Sequence, residues 1–158
     1  MRQKLAQMGS GAHALATQIL GNADDAADAV QDAFTTVLST PESYDARKGP
    51  LRPWFMRVVR NRCLDMLRRR RPSEDSVELV CDPDPGPEQA LRHEQRSSVI
   101  RCAISALPAD KREIIVLRDY MDLSYAEISD VLGVAPGTVM SRLHRARLAL
   151  KEALEIDG

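Results

Sequence analysis

Aromatic residues are scarce in this chain of 158 residues. Phe, Trp and Tyr make up only 4% of the sequence, whereas apolar residues as a group make up 44%. Any core must therefore be aliphatic, which favours helices over the β-sheets that branched and aromatic residues prefer. No apolar run is long enough to span a bilayer, and residues 1–20 lack the continuous apolar centre of a signal peptide. The sequence thus predicts a cytoplasmic all-α protein.

Cysteine is also scarce, with Cys63, Cys81 and Cys102 widely spaced along the chain. No CxxC pair and no Cys/His pair with metal-ligand spacing occurs, which argues against a structural zinc site. We expect three reduced thiols, with Cys63 and Cys102 buried as small hydrophobic side chains. The sequence also lacks a nucleophile–base pair, a phosphate-cradling loop and a metal cluster. We therefore expect no enzymatic activity, no cofactor and no metal.

Charge is arranged in blocks of alternating sign, although the net formal charge is only -1. Residues 22–32 hold four aspartates and no Lys or Arg, whereas residues 47–71 hold ten Lys or Arg and one acid. Residues 72–90 hold six acids and no base, and residues 142–151 hold four Lys or Arg and no acid. Such blocks are typical of separate surfaces that bind separate partners.

Apolar residues recur at helical spacing along most of the chain, and no strand is predicted. The predicted helices cover residues 4–20, 24–39, 51–69, 87–106, 108–120 and 124–132, and a last helix begins at residue 136. Residues 72–86 are rich in proline and acid and lack sustained periodicity, which is typical of a flexible linker. We expect two small helical domains, residues 1–71 and 87–158, joined by this acidic linker.

The sharpest local pattern lies near the end of the chain. Ser124 and Glu127 have the spacing of a capping box at a helix start. Gly133 suits the left-handed residue that ends this helix, and Pro136 suits the first position of the next helix. Two short helices joined by a glycine-containing turn form a helix-turn-helix motif. The second domain is therefore predicted to be a four-helix unit that contains this motif.

The second helix of this motif has a polar, cationic face opposite its aliphatic face. Such a helix can lie in the DNA major groove, where Arg145 can bond a guanine edge, a contact worth about 1–3 kcal/mol of discrimination. Ser141 and His144 can also reach base edges, Thr138 lies on the same face, and Arg142 lies at its edge. A solvated basic surface helix would show the same face, but the capped helix and turn before it favour DNA binding.

The first domain carries a second cationic field on its third helix, formed by Arg57, Arg60 and the arginine run at residues 68–71. Tyr44 and Trp54 stand at the start of this field. Aromatic residues among arginines suit stacking on exposed bases, worth about 1–3 kcal/mol per base. This pattern indicates binding of melted DNA. The alternatives are that Trp54 anchors the core and that the arginines are a solvated helix end.

The acidic second helix cannot share a DNA-binding surface, because its aspartates repel phosphate. Asp28, Gln31 and Asp32 have the spacing of one exposed polar face, which would suit a basic protein partner. An alternative is that the acids of this helix only complement the positive end of its dipole.

Three segments resemble the extracytoplasmic-function (ECF) sigma factors, small sigma subunits of bacterial RNA polymerase. "DDAADAVQDAF" is similar to their polymerase-clamp-binding segment, and "YDARKGPLRPWFMRVVRNRCLDMLRRRR" is similar to their promoter-melting and minus-10 segment. "LPADKREIIVLRDYMDLSYAEISDVLGVAPGTVMSRLHRARLALKEAL" is similar to their minus-35-reading segment. The match covers nearly the whole chain in the family's order, and it is far more specific than the helix-turn-helix motif alone.

The resemblance implies roles for the residues at matching positions. The face that meets the polymerase clamp would be formed or backed by Asp25, Asp28, Gln31, Asp32 and Phe34. The minus-10 and melting region would comprise Tyr44, Trp54, Arg57, Arg60 and Asn61. The residues that read the minus-35 duplex would be Thr138, Ser141, Arg142, His144 and Arg145. The chain departs from the family pattern at Met140, where Lys or Arg is usual, and at Pro53.

The resemblance further implies a sigma factor that directs RNA polymerase to promoters and opens the DNA strands. Its implied partners are core RNA polymerase, promoter DNA and a dedicated anti-sigma factor. The implied assembly is a monomer, or a heterodimer with the anti-sigma factor, without a membrane contact of its own. The alternatives are a stand-alone helix-turn-helix regulator and a regulatory decoy that binds polymerase without starting transcription.

Overall fold

A computed structural model describes residues 2–70 and 91–157, with the side chains of residues 91–97, 156 and 157 left undescribed. Its α-helices are α1 (Arg2–Gln7), α2 (Gly9–Leu20), α3 (Ala23–Ser39), α4 (Leu51–Arg69), α5 (Leu91–Ser105), α6 (Ala109–Ile115), α7 (Tyr125–Leu132) and α8 (Pro136–Asp157). Short 3-10 turns occur at Pro41–Ser43 and Ala46–Lys48, and a π-helical segment, Val116–Tyr120, continues α6. No strand occurs in the described residues, which confirms the all-α fold class. The predicted linker, residues 72–86, lies outside them.

Local side-chain signals set the starts and ends of several helices. Asn22 caps α3, since its side chain accepts a hydrogen bond of 2.8 Å from the Asp25 backbone N–H. The predicted capping box is confirmed. The Glu127 backbone N–H donates to the Ser124 hydroxyl at 3.1 Å, and the Ser124 backbone N–H donates to the Glu127 carboxylate at 3.0 Å. Gly133 ends α7 at a φ of 70°, a left-handed conformation that glycine adopts without strain.

The first predicted helix, residues 4–20, is wrong in one respect, because the structure divides it into α1 and α2. The division falls at Met8, directly before a Gly-Ser-Gly sequence. Each glycine costs a helix interior about 1 kcal/mol relative to alanine, and apolar periodicity does not register that cost. Gly11 has a packing role, since a Cβ atom there would lie 3.0 Å from the Met121 side chain.

Helices α1–α4 and α5–α8 are referred to below as the first and the second unit, and their buried residues make one continuous, mainly aliphatic core. The first unit is packed around Leu15, Phe55 and Val59, and the second around Leu117 and Leu143. The units meet where α2 and α4 contact α6, the π segment and α7. In this structure the two units therefore share an interface.

The cysteine expectations are met only in part. Cys63 is fully buried, and desolvation raises the pKa of its thiol to about 12. Cys102 is half-buried, so the expected burial is confirmed for Cys63 and met only in part for Cys102. Cys81 lies outside the described residues. No group of three or more His, Cys, Asp or Glu in the described part of the chain could hold a metal ion. No helix there is long and apolar enough to cross a bilayer.

The capping box predicts a measurable loss of stability in the Ser124→Ala variant. Removing an N-cap hydroxyl costs about 1 kcal/mol, which lowers the melting temperature of a domain of this size by about 2–4 °C. Thermal unfolding followed by circular dichroism measures the shift. Ser39→Ala, at an exposed position at the end of α3, is the control and should leave the melting temperature unchanged. Equal melting curves for the two variants would contradict the capping role.

Candidate nucleic-acid interfaces

The outer face of α8 presents the residues expected to read duplex DNA. Ser141, Arg142, His144 and Arg145 are exposed, and Thr138 is half-buried. The opposite face is held in the core by Val139, Leu143 and Ala146, which are almost fully buried. Because α8 is fixed along its inner face and follows the capped α7 by three residues, its outer side chains project from a rigid support.

The basic side chains of this face differ in whether they have acidic partners. Arg145 makes a bond of 3.3 Å to the Ser141 backbone carbonyl on its own helix. Among the described residues, neither Arg142 nor Arg145 forms an ion pair. Arg147, in contrast, donates to both carboxylate oxygens of Asp119 at the end of the π segment, with Nε at 3.2 Å. The structure therefore leaves Arg142 and Arg145 available for an external anion and engages Arg147 internally.

Two exposed apolar residues share α8 with these polar side chains. Met140 is 56% exposed and Leu148 is 49% exposed. Met140 therefore presents an apolar side chain beside the duplex-reading residues.

Tyr44 and Trp54 form an aromatic pair beside the loop between α3 and α4. Their ring centroids lie 5.0 Å apart, and both residues are half-buried. The Tyr44 hydroxyl donates a hydrogen bond of 2.9 Å to the Gly49 carbonyl, which closes the loop over its own tip. Trp54 packs partly against the core. It therefore serves as an anchor while leaving part of its surface accessible.

The cationic field of the first unit is smaller than its arginine content indicates. Arg57 and Asn61, both expected to contact DNA, are exposed on α4. Arg60 instead forms an ion pair with Glu113 of α6, and its side chain is only 19% exposed. Arg70 pairs with Asp25 and donates a bond of 3.0 Å to the Leu20 carbonyl.

The acidic surface on α3 is only partly open. Asp28 and Gln31 are exposed, whereas Asp32 forms an ion pair of 2.9 Å with Arg62 of α4. Asp25 is half-buried, since it bonds Asn22 and Arg70.

A groove of about 370 Å³ between α3 and α4 brings Asp32, expected to meet polymerase, next to Asn61, expected to meet DNA. Phe34 is half-buried, and its ring centroid lies 5.0 Å from that of the fully buried Phe55. Phe34 therefore backs the acidic surface from within the unit, in keeping with the position expected for it at or behind that face.

Glu113 is the one buried charged residue in the described part of the chain, and it was not predicted from the sequence. Burial raises the pKa of its carboxyl group, while the hydrogen bonds from Arg60 act in the opposite direction. A local signal was present, because Glu113 and Leu117 are four residues apart and therefore share the buried face of one helix. The identity of its partner, 53 residues earlier, has no such local signal.

Family models match both units of the chain. A model described as Sigma-70 region 2 matches residues 6–73, and one described as Sigma-70, region 4 matches residues 97–150. The ECF RNA polymerase sigma factor SigE of Mycolicibacterium smegmatis is 36% identical over 145 residues, covering 89% of this chain and 56% of the relative. The chain therefore spans little more than half of that relative's length.

Two further comparisons cover more of the matched protein. The ECF RNA polymerase sigma factor EcfG of Rhodopseudomonas palustris is 34% identical over 149 residues, covering 92% of this chain and 80% of the relative. The solved structure of the sigma factor RpoE in complex with the anti-sigma factor NepR, from Bartonella quintana, has a TM-score of 0.78 and 26% identity. That match covers 99% of this chain and 98% of the other.

The geometry predicts different effects for two residues of the acidic helix. Phe→Ala substitutions in cores cost about 3–5 kcal/mol, and because Phe34 is only half-buried we expect Phe34→Ala to lower the free energy of unfolding by about 2 kcal/mol. Asp28→Ala, at an exposed site on the same helix, should change it by less than about 0.5 kcal/mol. Urea unfolding measures both values. Equal stability in the two variants would show that Phe34 is not a packing residue.

Proposed function

Because the chain belongs to the ECF sigma factors, which direct bacterial RNA polymerase to promoters, we propose that its two helical units each contact one element of a promoter. The helix-turn-helix unit binds the minus-35 duplex, and the first unit binds the minus-10 element and core polymerase. The observation that carries this assignment is the exposed basic face of α8, where Arg142 and Arg145 have no acidic partner among the described residues.

Recognition of the minus-35 element is assigned to the outer face of α8. The guanidinium of Arg145 offers paired donors that match the O6 and N7 acceptors of a guanine. Ser141, His144 and Thr138 lie within the same surface and contact neighbouring bases or the sugar-phosphate backbone. Arg142, at the edge of the face, neutralises phosphate, which makes binding weaker as salt concentration rises.

Strand opening is assigned to the Tyr44–Trp54 pair and the exposed face of α4. Separating duplex DNA costs about 1.4 kcal/mol per base-pair step on average. Stacking of an unpaired base on an aromatic ring returns about 1–3 kcal/mol, and Arg57 and Asn61 are placed to hold the adjoining backbone. The chain thus acts by binding and capture of unpaired bases, and no bond is made or broken by its side chains.

Polymerase binding is assigned to the acidic surface formed by Asp28, Gln31 and Asp32. A cationic clamp surface on the polymerase would complement it, and Asp25 and Phe34 support it from beneath. The complex forms in the cytoplasm, with core RNA polymerase as the partner. The known complex of the related RpoE with an anti-sigma factor supports an anti-sigma factor as a further partner of this chain.

The length of the acidic linker is compatible with simultaneous contact at both promoter elements. Residues 72–86, fully extended at about 3.3–3.6 Å each, reach roughly 50 Å. At about 3.4 Å per base pair, this reach corresponds to roughly 15 base pairs. Simultaneous contact with two elements that far apart would require the two units to separate from the arrangement in which α2 and α4 contact α6 and α7.

Run-off transcription with purified core polymerase and a promoter library tests the assignment. The chain is expected to produce specific starts, and Arg145→Ala should reduce them about tenfold, since one bidentate base contact is lost. Lys151→Ala removes a positive charge from an exposed position farther along α8 and should retain full activity.

Each alternative function predicts a different result in this assay. A decoy would bind core polymerase without producing any start. A stand-alone regulator would bind specific DNA equally well without polymerase. Specific starts that are equally frequent in Arg145→Ala and the parent would contradict the role assigned to α8.

A further inference from the structure

The most buried ion pair in the described chain joins the two units. Arg60 of α4 donates from Nε to one carboxylate oxygen of Glu113, at 3.1 Å, and from a terminal nitrogen to the other, at 3.2 Å. The Arg60 side chain is 19% exposed and that of Glu113 only 8%. This fork geometry is the strong, directional form of an arginine–carboxylate contact. The pair therefore fixes how α4 and α6 face each other.

Two further arginines make polar contacts across the same interface. Arg52 of the first unit donates to the Met121 carbonyl, which follows the π segment. Arg112, the neighbour of Glu113, donates to the Gln18 carbonyl at the end of α2, at 2.7 and 3.0 Å. All three guanidinium groups thus bind an acceptor on the opposite unit. The Met121 side chain also packs closely against Gly11 at this interface.

Arg60 lies one helical turn from Arg57 and next to Asn61 on α4, at the edge between the exposed face that the proposed function assigns to DNA and the face that contacts α6. Carboxylate and phosphate both accept the two parallel N–H groups of a guanidinium. A guanidinium already paired with the two oxygens of Glu113 has its fork occupied. In the arrangement described, Arg57 is open to solvent and Arg60 is not.

We propose that Glu113 is an internal competitor of DNA phosphate for Arg60, so that the closed chain has a weakened affinity for melted DNA until its two units separate. This inference rests on the proposed function, because it assumes that the α4 face binds DNA. This competition restricts DNA capture by the free chain. When the units separate, the competition ends and Arg60 can bind DNA.

The energetics of the pair suit an exchange of partners. Burying two charges costs hydration free energy that their attraction only partly offsets, so a buried pair adds little net stability, whereas one charge left behind alone is strongly unfavourable. Separation of the units returns Glu113 to water and leaves Arg60 free to bind phosphate. Neither charge is then stranded in the core, and opening in the presence of DNA is less costly than opening without it.

The test compares the full-length parent with Glu113→Gln and Glu152→Gln. Both variants lose one negative charge, but Glu152 lies at an exposed position on α8. Small-angle scattering gives the radius of gyration, and fluorescence anisotropy gives the affinity for a labelled single-stranded oligonucleotide of mixed sequence. Glu113→Gln should increase the radius of gyration and tighten DNA binding by about fivefold or more, within the usual range of coupling between two sites. Glu152→Gln should match the parent in both measurements.

Two results would overturn the competition. One is a Glu113→Gln variant as compact as the parent, and the other is a variant that opens without a gain in affinity beyond that of Glu152→Gln. If Glu113→Gln does not fold, Arg52→Gln replaces it, since it removes an interface hydrogen bond without stranding a buried acid. Arg52→Gln should then show both a larger radius of gyration and tighter binding of the oligonucleotide, and a variant that opens without binding more tightly would overturn the proposal.

Failure of this proposal is distinguishable from failure of the proposed function. A chain that starts transcription at specific promoters but shows no effect of Glu113→Gln would overturn the competition alone. A chain that produces no starts with core polymerase would overturn the function itself.

Discussion

The small size of each helical unit is the constraint on which the rest of the structure depends. A folded domain of about 60 residues buries only about 60% of the surface that its unfolded chain exposes, which leaves little margin of stability. With only 4% aromatic residues, neither unit has many large side chains to compensate. The buried residues of both units join in one core, so each unit buries apolar surface of the other. On polymerase, docking would supply that stabilisation instead, because a partner that binds only the folded state favours it.

The arginines of this molecule fall into two groups. One group bonds to backbone carbonyls within the fold, and the other remains exposed on the surface. The last carbonyl groups of an α-helix have no partner within the helix. Arg70 and Arg112 donate to such carbonyls at the end of α2, and Arg118 donates at 2.8 Å to the Leu123 carbonyl after the π segment. These side chains hold the fold together. The arginines that remain exposed on α4 and α8, among them Arg57 and Arg145, are those available to DNA.

The parts of the fold that sequence predicted correctly depend on signals contained within a few residues. The capping box at Ser124, the left-handed Gly133 and the outer face of α8 follow from spacings of three or four positions. The interruption at Met8 was missed because apolar periodicity carries no information about glycine. The partner of Arg60 was missed because its position depends on how two units meet, and no local pattern encodes that packing.

The candidate nucleic-acid and polymerase interfaces could also be predicted only in part from the sequence. The exposed positions Ser141 and Arg145 followed from helical periodicity, Arg57 from the arginine-rich third helix, and Asn61 from the family resemblance. Those that turned inward, such as Asp25 and Arg60, did so because a charged side chain in a crowded small protein pairs with the nearest opposite charge. A surface inferred from sequence therefore carries more charge than a partner would contact. The charged residues that are not available to a partner form the internal ion pairs that join one helix to another.

The most direct test of whether the two units separate at a promoter is the distance between a label on the first unit and a label on the second. Spin labels on non-canonical residues at the exposed positions Ala27 of α3 and Glu152 of α8 report the spacing between the units. Double electron–electron resonance should give one short distance for the free chain. It should give a longer one, limited by a linker reach of roughly 50 Å, for the chain bound to core polymerase and promoter DNA. An unchanged distance in that complex would contradict the account.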